Sequence, residues 1–218
     1  MDPATLSTFG VFGAAIVLAA AAYAVCSHVA RKRREAVAKL AAERGFDFAS
    51  EVHSVECGYD LRLTDVGHSH QYLNLVRGHV EEMPFLLFDH TYHVGSGKSE
   101  STVYRTVAAF QVVGTLSPFE LRPENLLDKV GSWLGMQDVD FPENPDFSGA
   151  YLLRASDEKK TRLDFNRNVL AFFSGHHGWN CRGGGPWVGF YKAEKKMPPE
   201  RLWEFLEEAR FGSTFFCP

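Results

Sequence analysis

The chain has 218 residues, enough for one domain of ordinary size and a terminal extension, and its eighteen phenylalanines exclude an intrinsically disordered protein. The formal net charge of −4 is divided unevenly, because residues 31–45 carry six basic and two acidic side chains while the rest of the chain is acidic. An acidic domain next to a short basic segment argues against nucleic-acid binding, so we expect no nucleic-acid partner, and no sequence pattern indicates a cofactor.

An uncharged, apolar stretch opens the chain, from Phe9 to Cys26, and a basic run at residues 31–34 follows it. As a helix with a rise of about 1.5 Å per residue, this stretch spans roughly 27 Å, close to the thickness of about 30 Å of a bilayer's hydrocarbon core. The alternative is a cleaved signal peptide, with a cleavage site within Ala20–Ala24, but a signal peptide has its positive charges before the apolar run. The pattern predicts a transmembrane anchor over residues 1–30.

The basic run is predicted to lie at the membrane surface, where its four side chains contact anionic lipid: Arg31, Lys32, Arg33 and Arg34. Each basic residue near such a surface contributes about 1 kcal/mol to binding. The positive-inside rule then puts the N-terminus outside the cell and the following domain in the cytoplasm, as a single-pass protein of the cell membrane. The lipid bilayer is the expected partner, and another protein at the cytoplasmic face is a second candidate.

Residues 31–45 are predicted to form a basic juxtamembrane helix that ends at Gly45, because glycine is common just after helix C-termini. Apolar side chains recur in this segment at helical spacing, at Ala36, Val37, Leu40 and Ala41. The remaining residues, 46–218, are predicted to form a single α+β domain.

Alternating apolar and polar residues predict β-strands in the first half of this domain. The first candidates are Tyr59–Leu63 and Leu73–Val80. Phe85–Val94 alternates clearly, and Thr102–Val113 is rich in valine, threonine and aromatic residues. These two segments are predicted to form a β-hairpin around the turn Gly95–Lys98.

Helical patterns dominate the second half. A short helix is predicted over Asn125–Leu134, a strand over Phe147–Arg154, and a helix from Ser156 to about Ser174. A second hairpin is predicted around Gly183–Gly185, and a last helix begins at Pro198, with Leu202, Phe205, Leu206 and Ala209 facing inward. Strands in runs followed by helices predict an antiparallel sheet with two or three packed helices.

The sequence Gly95–Ser99 reads GSGKS and resembles the end of a phosphate-binding P-loop. The full pattern requires a glycine where this chain has Tyr92, and a helix that presents its N-terminus to the phosphates. The residues that follow, Val103–Val107, are typical of a strand instead. We therefore predict a hairpin turn without nucleotide binding.

Nine histidines and four cysteines raise the question of a metal or catalytic site, but none has ligand spacing such as HExxH or CxxC. His90 lies on the apolar face of its strand, where a hydrogen-bonded core histidine is the common case. The cysteines are expected to be free thiols. Side chains that would form a site only by meeting in space are Cys57, His68, His70, His79, Asp89, His90 and His93.

Several segments of the sequence together resemble those of bacterial one-pass membrane proteins of unknown function. They are the FDHTYHVGSGKS hairpin, FELRPEN, DVDFPENPDFSGAYLL and the closing PPERLWEFLEEA, behind the N-terminal anchor. The resemblance covers most of residues 30–212 and implies a small cytoplasmic α+β domain, without an activity or site residues.

Two functions are compatible with these observations. The first is a non-enzymatic, membrane-anchored interaction module, which the anchor and the lack of a catalytic pattern favour. The second is an enzyme with a spatially assembled histidine or cysteine site, possibly metal-dependent. A deep pocket that holds several histidines, Cys57 or Asp89 would favour the enzyme, whereas an exposed apolar surface would favour the module.

Overall fold

Helices and antiparallel strands make up the part of the chain that a computed structural model describes: residues 3–124, 135–192 and 195–216, with side chains from Ile16 onward. The predicted helix Asn125–Leu134 lies outside these residues. The elements are α1 (Pro3–Glu43), β1 (Asp47–Val52), β2 (His68–Val80), β3 (Met83–Val94), β4 (Ser101–Pro123), β5 (Gln137–Asp138), α2 (Pro145–Ala150), β6 (Tyr151–Ala155), α3 (Glu158–Asp164), α4 (Arg167–Gly175), β7 (Trp179–Lys192) and α5 (Leu202–Thr214), with short 3-10 segments at Gly97–Ser99 and Pro199–Arg201.

The described strands form one antiparallel sheet in the order β1-β2-β3-β4-β6-β5, and β7 pairs with β4 outside that order. The predicted hairpin is confirmed, since Phe85 pairs with Phe110 and Val94 pairs with Ser101. Its turn leads into β4 rather than into a helix, so the GSGKS sequence is a hairpin turn. The predicted α+β class with an antiparallel sheet is confirmed.

The predicted transmembrane helix is wrong. Residues 3–43 do form one helix, α1, but no helix in the described part of the chain combines the length and hydropathy that crossing a bilayer requires. The apolar side chains between Ile16 and Val29 are interspersed with alanine, which adds little to transfer into lipid, and a basic run follows at residues 31–34. The predicted orientation, with the N-terminus outside the cell, depended on that span and loses its basis.

The two faces of the sheet have different covers, because side chains alternate along each strand. On β3, Phe85 and Leu87 belong to the core cluster on the helix side, whereas Leu86 and Phe88 belong to the cluster on the other side. Helices supply to the first cluster, among others, Val37, Ala41, Phe172, Phe173, Leu202, Phe205 and Leu206. The connection of residues 53–67 covers the other face with Val55, Cys57, Leu61 and Leu63.

The C-terminal part of α1 packs against the sheet. Val37 and Ala41 are 2 % and 0 % exposed and belong to the core on the helix side. At the end of the helix, Arg44 lies over the ring of Trp203 at 4.2 Å, and Phe46 meets the ring of Phe85 at 4.9 Å. The segment predicted as a juxtamembrane linker, residues 31–45, is therefore joined to the sheet.

Two local predictions fail where one element packs against another. Residues 59–63 form turns instead of a strand, and Leu61 and Leu63 are buried within these turns. The glycines at 183–185 lie within the continuous strand β7 and not in a hairpin loop. A Cβ on Gly183 would lie 2.1 Å from the ring of Phe119, and one on Gly184 would lie 2.2 Å from the carbonyl oxygen of Asp60. Glycine is required here because the loop lies directly on the strand.

In the second half of the domain, two segments that were each predicted as one element are two elements in the structure. The predicted strand Phe147–Arg154 begins as helix α2 and becomes strand β6 only at Tyr151. The predicted helix from Ser156 is two helices, α3 and α4, with Asp157 and Asn166 as their N-caps. The last helix is confirmed, and its expected inward side chains are all buried: Leu202, Phe205, Leu206 and Ala209.

Candidate functional site

The four basic residues at 31–34 do not share one environment, because one of them is turned toward the sheet and three are exposed. Arg33 turns inward, with its side chain 13 % exposed, and forms two short hydrogen bonds to the carboxylate of Asp89 on β3. Its Nε donates to Oδ2 at 2.6 Å and its Nη2 donates to Oδ1 at 2.7 Å. Arg31, Lys32 and Arg34 remain exposed, so the predicted membrane-surface contact stays a prediction for these three. The guanidinium of Arg33 has a different partner.

Asp89 and its neighbours form a junction between α1 and the sheet, which we call the helix junction. Asp89 is 2 % exposed, and its oxygens also accept hydrogen bonds from Asn74 Nδ2 and Thr106 Oγ1, both at 2.9 Å. Arg33 Nη1 donates to the carbonyl oxygen of Met197 at 2.6 Å, which brings the segment before α5 to the same point. Because both charges are buried and paired, this junction holds α1 in one position on the sheet.

Before Arg33 the helix leaves the rest of the protein, and every side chain from residue 16 to residue 32 is exposed. We call residues 16–32 the outer segment. Its large apolar side chains are unusually accessible: Ile16, Leu18 and Tyr23 are 69 %, 70 % and 76 % exposed. Val17, Val25 and Val29 are exposed to a similar degree. A soluble monomer rarely presents so many apolar side chains together, so this surface indicates a contact with another apolar phase or molecule.

A second polar group lies on the opposite face of the sheet. We call it the Arg105 cluster, and it contains His70, Tyr72, His90, Tyr92, Arg105 and Tyr191. Arg105 donates from Nε and Nη2 to Nδ1 of His90, at 3.2 and 3.0 Å. Since Nδ1 accepts these bonds, Nε2 of His90 carries the proton and donates to Nδ1 of His70 at 3.1 Å. His90 is 0 % exposed, which confirms the expected hydrogen-bonded core histidine.

Burial, reinforced by the charge of Arg105, lowers the pKa of His90 from 6.5 to about 2. The unfolded chain binds a proton at this histidine below about pH 6.5 and the native protein does not, so stability must fall as the pH drops below that value. From about pH 7.5 to about pH 5.5 we expect His90 to reduce the free energy of unfolding by about 1–1.5 kcal/mol. Urea unfolding of the parent and of His90→Asn, which keeps an acceptor for Arg105, measures the difference.

The control for this pH effect is His79→Asn, because His79 is an exposed histidine of β2. It should retain the pH dependence of the parent. Equal loss of stability at low pH in the parent and in His90→Asn would contradict the assignment.

Two of the four cysteines lie in the cores on either side of the sheet. Cys57 and Cys181 are both 0 % exposed, and burial raises the pKa of each thiol well above its usual value. A buried thiol of raised pKa is a poor nucleophile and a poor metal ligand. Asp89, the other candidate for an assembled enzyme site, is held by Arg33.

The remaining histidines are scattered. His68 and His93 stack at 5.7 Å near the hairpin turn, where His93 Nδ1 lies 3.0 Å from the carboxylate of Glu100, and His79 is exposed at the other end of β2. Within the residues that the structure describes, no three side chains of histidine, cysteine, aspartate or glutamate are grouped closely enough to hold a metal ion.

The fold is similar to that of a transport factor. The crystal structure of the mycobacterial trehalose monomycolate transport factor A, TtfA, superimposes with a TM-score of 0.57. The match covers 87 % of this chain and 96 % of that chain, at 16 % sequence identity. No protein-family model and no curated protein matches the sequence. At this identity the similarity to TtfA concerns the fold alone.

Sequence reasoning named Asp89 and His90 but missed their arginine partners, Arg33 and Arg105. The signal was a charged residue within an apolar strand: Asp89 follows Leu86–Phe88, and Arg105 stands between Val103 and Val107. A charge in such a position is rarely buried without a partner, so each one predicts a partner on another element. The identity of the partner is set by the tertiary structure, since 56 residues separate Arg33 from Asp89.

Proposed function

We propose that this chain is a non-enzymatic interaction module that associates with an anionic membrane surface and serves a transport-related role. The exposed outer segment, together with the three exposed basic residues at and just beyond its end, carries this proposal. According to this proposal, the membrane contacts the apolar side chains of the outer segment together with Arg31, Lys32 and Arg34. Arg33 belongs to the same run but fixes the helix to the domain through Asp89. The module is thus held beside the membrane at a defined place on α1.

A membrane fits this surface better than a protein groove for two reasons. First, the exposed apolar side chains are distributed along and around the helix instead of forming one narrow stripe, with Ile16, Val17 and Leu18 consecutive in sequence. Secondly, basic side chains directly beside an apolar segment complement the negative charge of lipid headgroups next to acyl chains. The structural neighbour is named as a transport factor and not as an enzyme, which motivates the transport-related role.

Vesicle flotation tests the membrane contact. Removing Arg31, Lys32 and Arg34 together by substitution with alanine should weaken binding to vesicles that contain phosphatidylglycerol by about 3 kcal/mol, roughly a hundredfold in the partition coefficient. The loss should shrink at high salt, because surface charges are then screened. The measurement is the fraction of full-length protein that floats with vesicles of phosphatidylcholine, with and without phosphatidylglycerol.

The matched control removes three exposed basic residues elsewhere, Lys98, Lys159 and Arg167, and so changes the net charge equally. This variant should float like the parent. If both triple variants bind alike, or if the parent does not distinguish the two vesicle types, the proposed membrane contact is wrong.

A further inference from the structure

The Arg105 cluster contains a buried cation with no carboxylate beside it. Arg105 is 3 % exposed, and among the described residues no aspartate or glutamate oxygen lies within ion-pair distance of its guanidinium. The nearest carboxylate that influences it is Glu120, which is bonded to Arg182 at 2.6 Å. A buried charge is costly unless an opposite charge pairs with it, and none of the described residues supplies one to Arg105.

The hydrogen bonds of Arg105 are also incomplete. Its Nε and Nη2 both point at the one lone pair of Nδ1 of the neutral His90, at 3.2 and 3.0 Å. Within the described part of the chain, the remaining N–H groups of the guanidinium have no acceptor. The rings of Tyr191 and Tyr92 lie 4.5 and 5.1 Å from its Cζ atom, which favours a cation but neutralises no charge.

Two neighbours of Arg105 also carry hydrogen-bond donors, on Tyr191 and on His70. Burial raises the pKa of Tyr191, so its phenol keeps its proton and remains a hydrogen-bond donor. Nε2 of His70 must carry a proton, since its Nδ1 accepts from His90, and this Nε2 is buried without a hydrogen-bond partner among the described residues. Tyr191 and Tyr92 are 8 % and 7 % exposed, so the cluster borders solvent and is not sealed.

We propose that Arg105 is the binding residue of a site for a small oxyanion of the phosphate type. The planar guanidinium presents paired N–H donors that match two oxygens of such an anion, and a lysine in the same position could not do so. The oxyanion supplies the negative charge that the described residues do not provide at this point. Tyr92 and Tyr191 hold the guanidinium plane, and His90 fixes one edge of it.

Thermal unfolding of the full-length protein at constant ionic strength tests the site. Inorganic phosphate, replacing chloride, should raise the midpoint by several degrees and saturate, because a ligand that binds only the native state stabilises it. Arg105→Met, which fills similar space without a charge, should abolish the shift. Its own midpoint in chloride should equal or exceed that of the parent, since an unpaired buried charge is gone. A parent midpoint that does not respond to phosphate would overturn the proposal.

Two further variants keep the test decisive. Arg105→Lys retains the charge and should bind phosphate about tenfold more weakly or worse, because the paired donors are lost. Arg154→Met removes an arginine that is already paired with Asp138 and should keep the full phosphate response. If Arg105→Met does not fold, a reduced affinity in Arg105→Lys beside a normal one in Arg154→Met still supports the site. If the parent, Arg105→Lys and Arg154→Met all bind phosphate with the same affinity, the proposed site is wrong.

The source of the phosphate group can be distinguished in the same assay. Dihexanoyl phosphatidic acid, a soluble lipid, should bind more tightly than inorganic phosphate if the natural ligand is a lipid headgroup, and more weakly if it is a free phosphate. The site does not depend on the proposed membrane contact. The variant lacking Arg31, Lys32 and Arg34 should show the full phosphate response, so the two proposals succeed or fail separately.

Discussion

Replacing Arg33 with alanine should lower the free energy of unfolding by about 3–5 kcal/mol, since it leaves the buried carboxylate of Asp89 without its cation. In a protein of ordinary stability, about 5–15 kcal/mol, such a loss is readily seen. Urea unfolding followed by tryptophan fluorescence, to which the buried Trp179 contributes, measures it. Arg34→Ala, one residue along and exposed, should change stability by less than about 0.5 kcal/mol.

A double-mutant cycle separates the charge from the packing of Arg33. In an Asp89→Asn background, Arg33→Ala should cost much less, because no buried charge is left unpaired. An Arg33→Ala variant as stable as the parent, or one with the same cost in both backgrounds, would mean that the helix junction does not hold α1 on the sheet.

Truncating Phe205 to alanine should cost about 3–5 kcal/mol, the usual value for a buried phenylalanine. Phe205 is 2 % exposed on α5 and stacks on Trp179 at 5.1 Å, so the substitution leaves a cavity between the last helix and the sheet. The fluorescence of Trp179 in the native state should change as well, because its neighbouring ring is lost. Both effects are read from one urea titration.

Phe211 is the matched control for this substitution, since it lies on the same helix but is 49 % exposed. Phe211→Ala should cost less than about 1 kcal/mol. Similar costs for the two variants would show that burial does not decide the contribution of α5.

Local patterns predicted the elements whose stability is decided locally. The hairpin of β3 and β4 follows from the alternation of apolar residues over Phe85–Val94 and a turn of glycines, and the register of its core needs no distant information. The inward residues of α5, such as Phe205, follow from helical spacing in the same way. The core position of His90 was equally visible in the alternation.

Contacts between distant segments decided the rest. Leu61 and Leu63 have the spacing of a strand, yet their backbone forms turns because it lies across the glycines of β7 instead of pairing at a sheet edge. In the sequence, Arg33 is one of four equivalent basic residues, and only the fold shows that its partner is Asp89 on β3. The transmembrane prediction rested on the uncharged stretch of the first helix, but the described part of that helix is not long and apolar enough to cross a bilayer.

The unbroken course of α1 through the helix junction has a mechanical consequence. Because a helix rises about 1.5 Å per residue, the outer segment is a rigid arm of roughly 25 Å whose fulcrum is the Arg33–Asp89 pair. A tilt of this arm by about 10° about that pair displaces its far end by about 4 Å. Torque on the arm is therefore delivered to the middle of the sheet, and from there to the β3–β4 hairpin, without passing through a flexible joint.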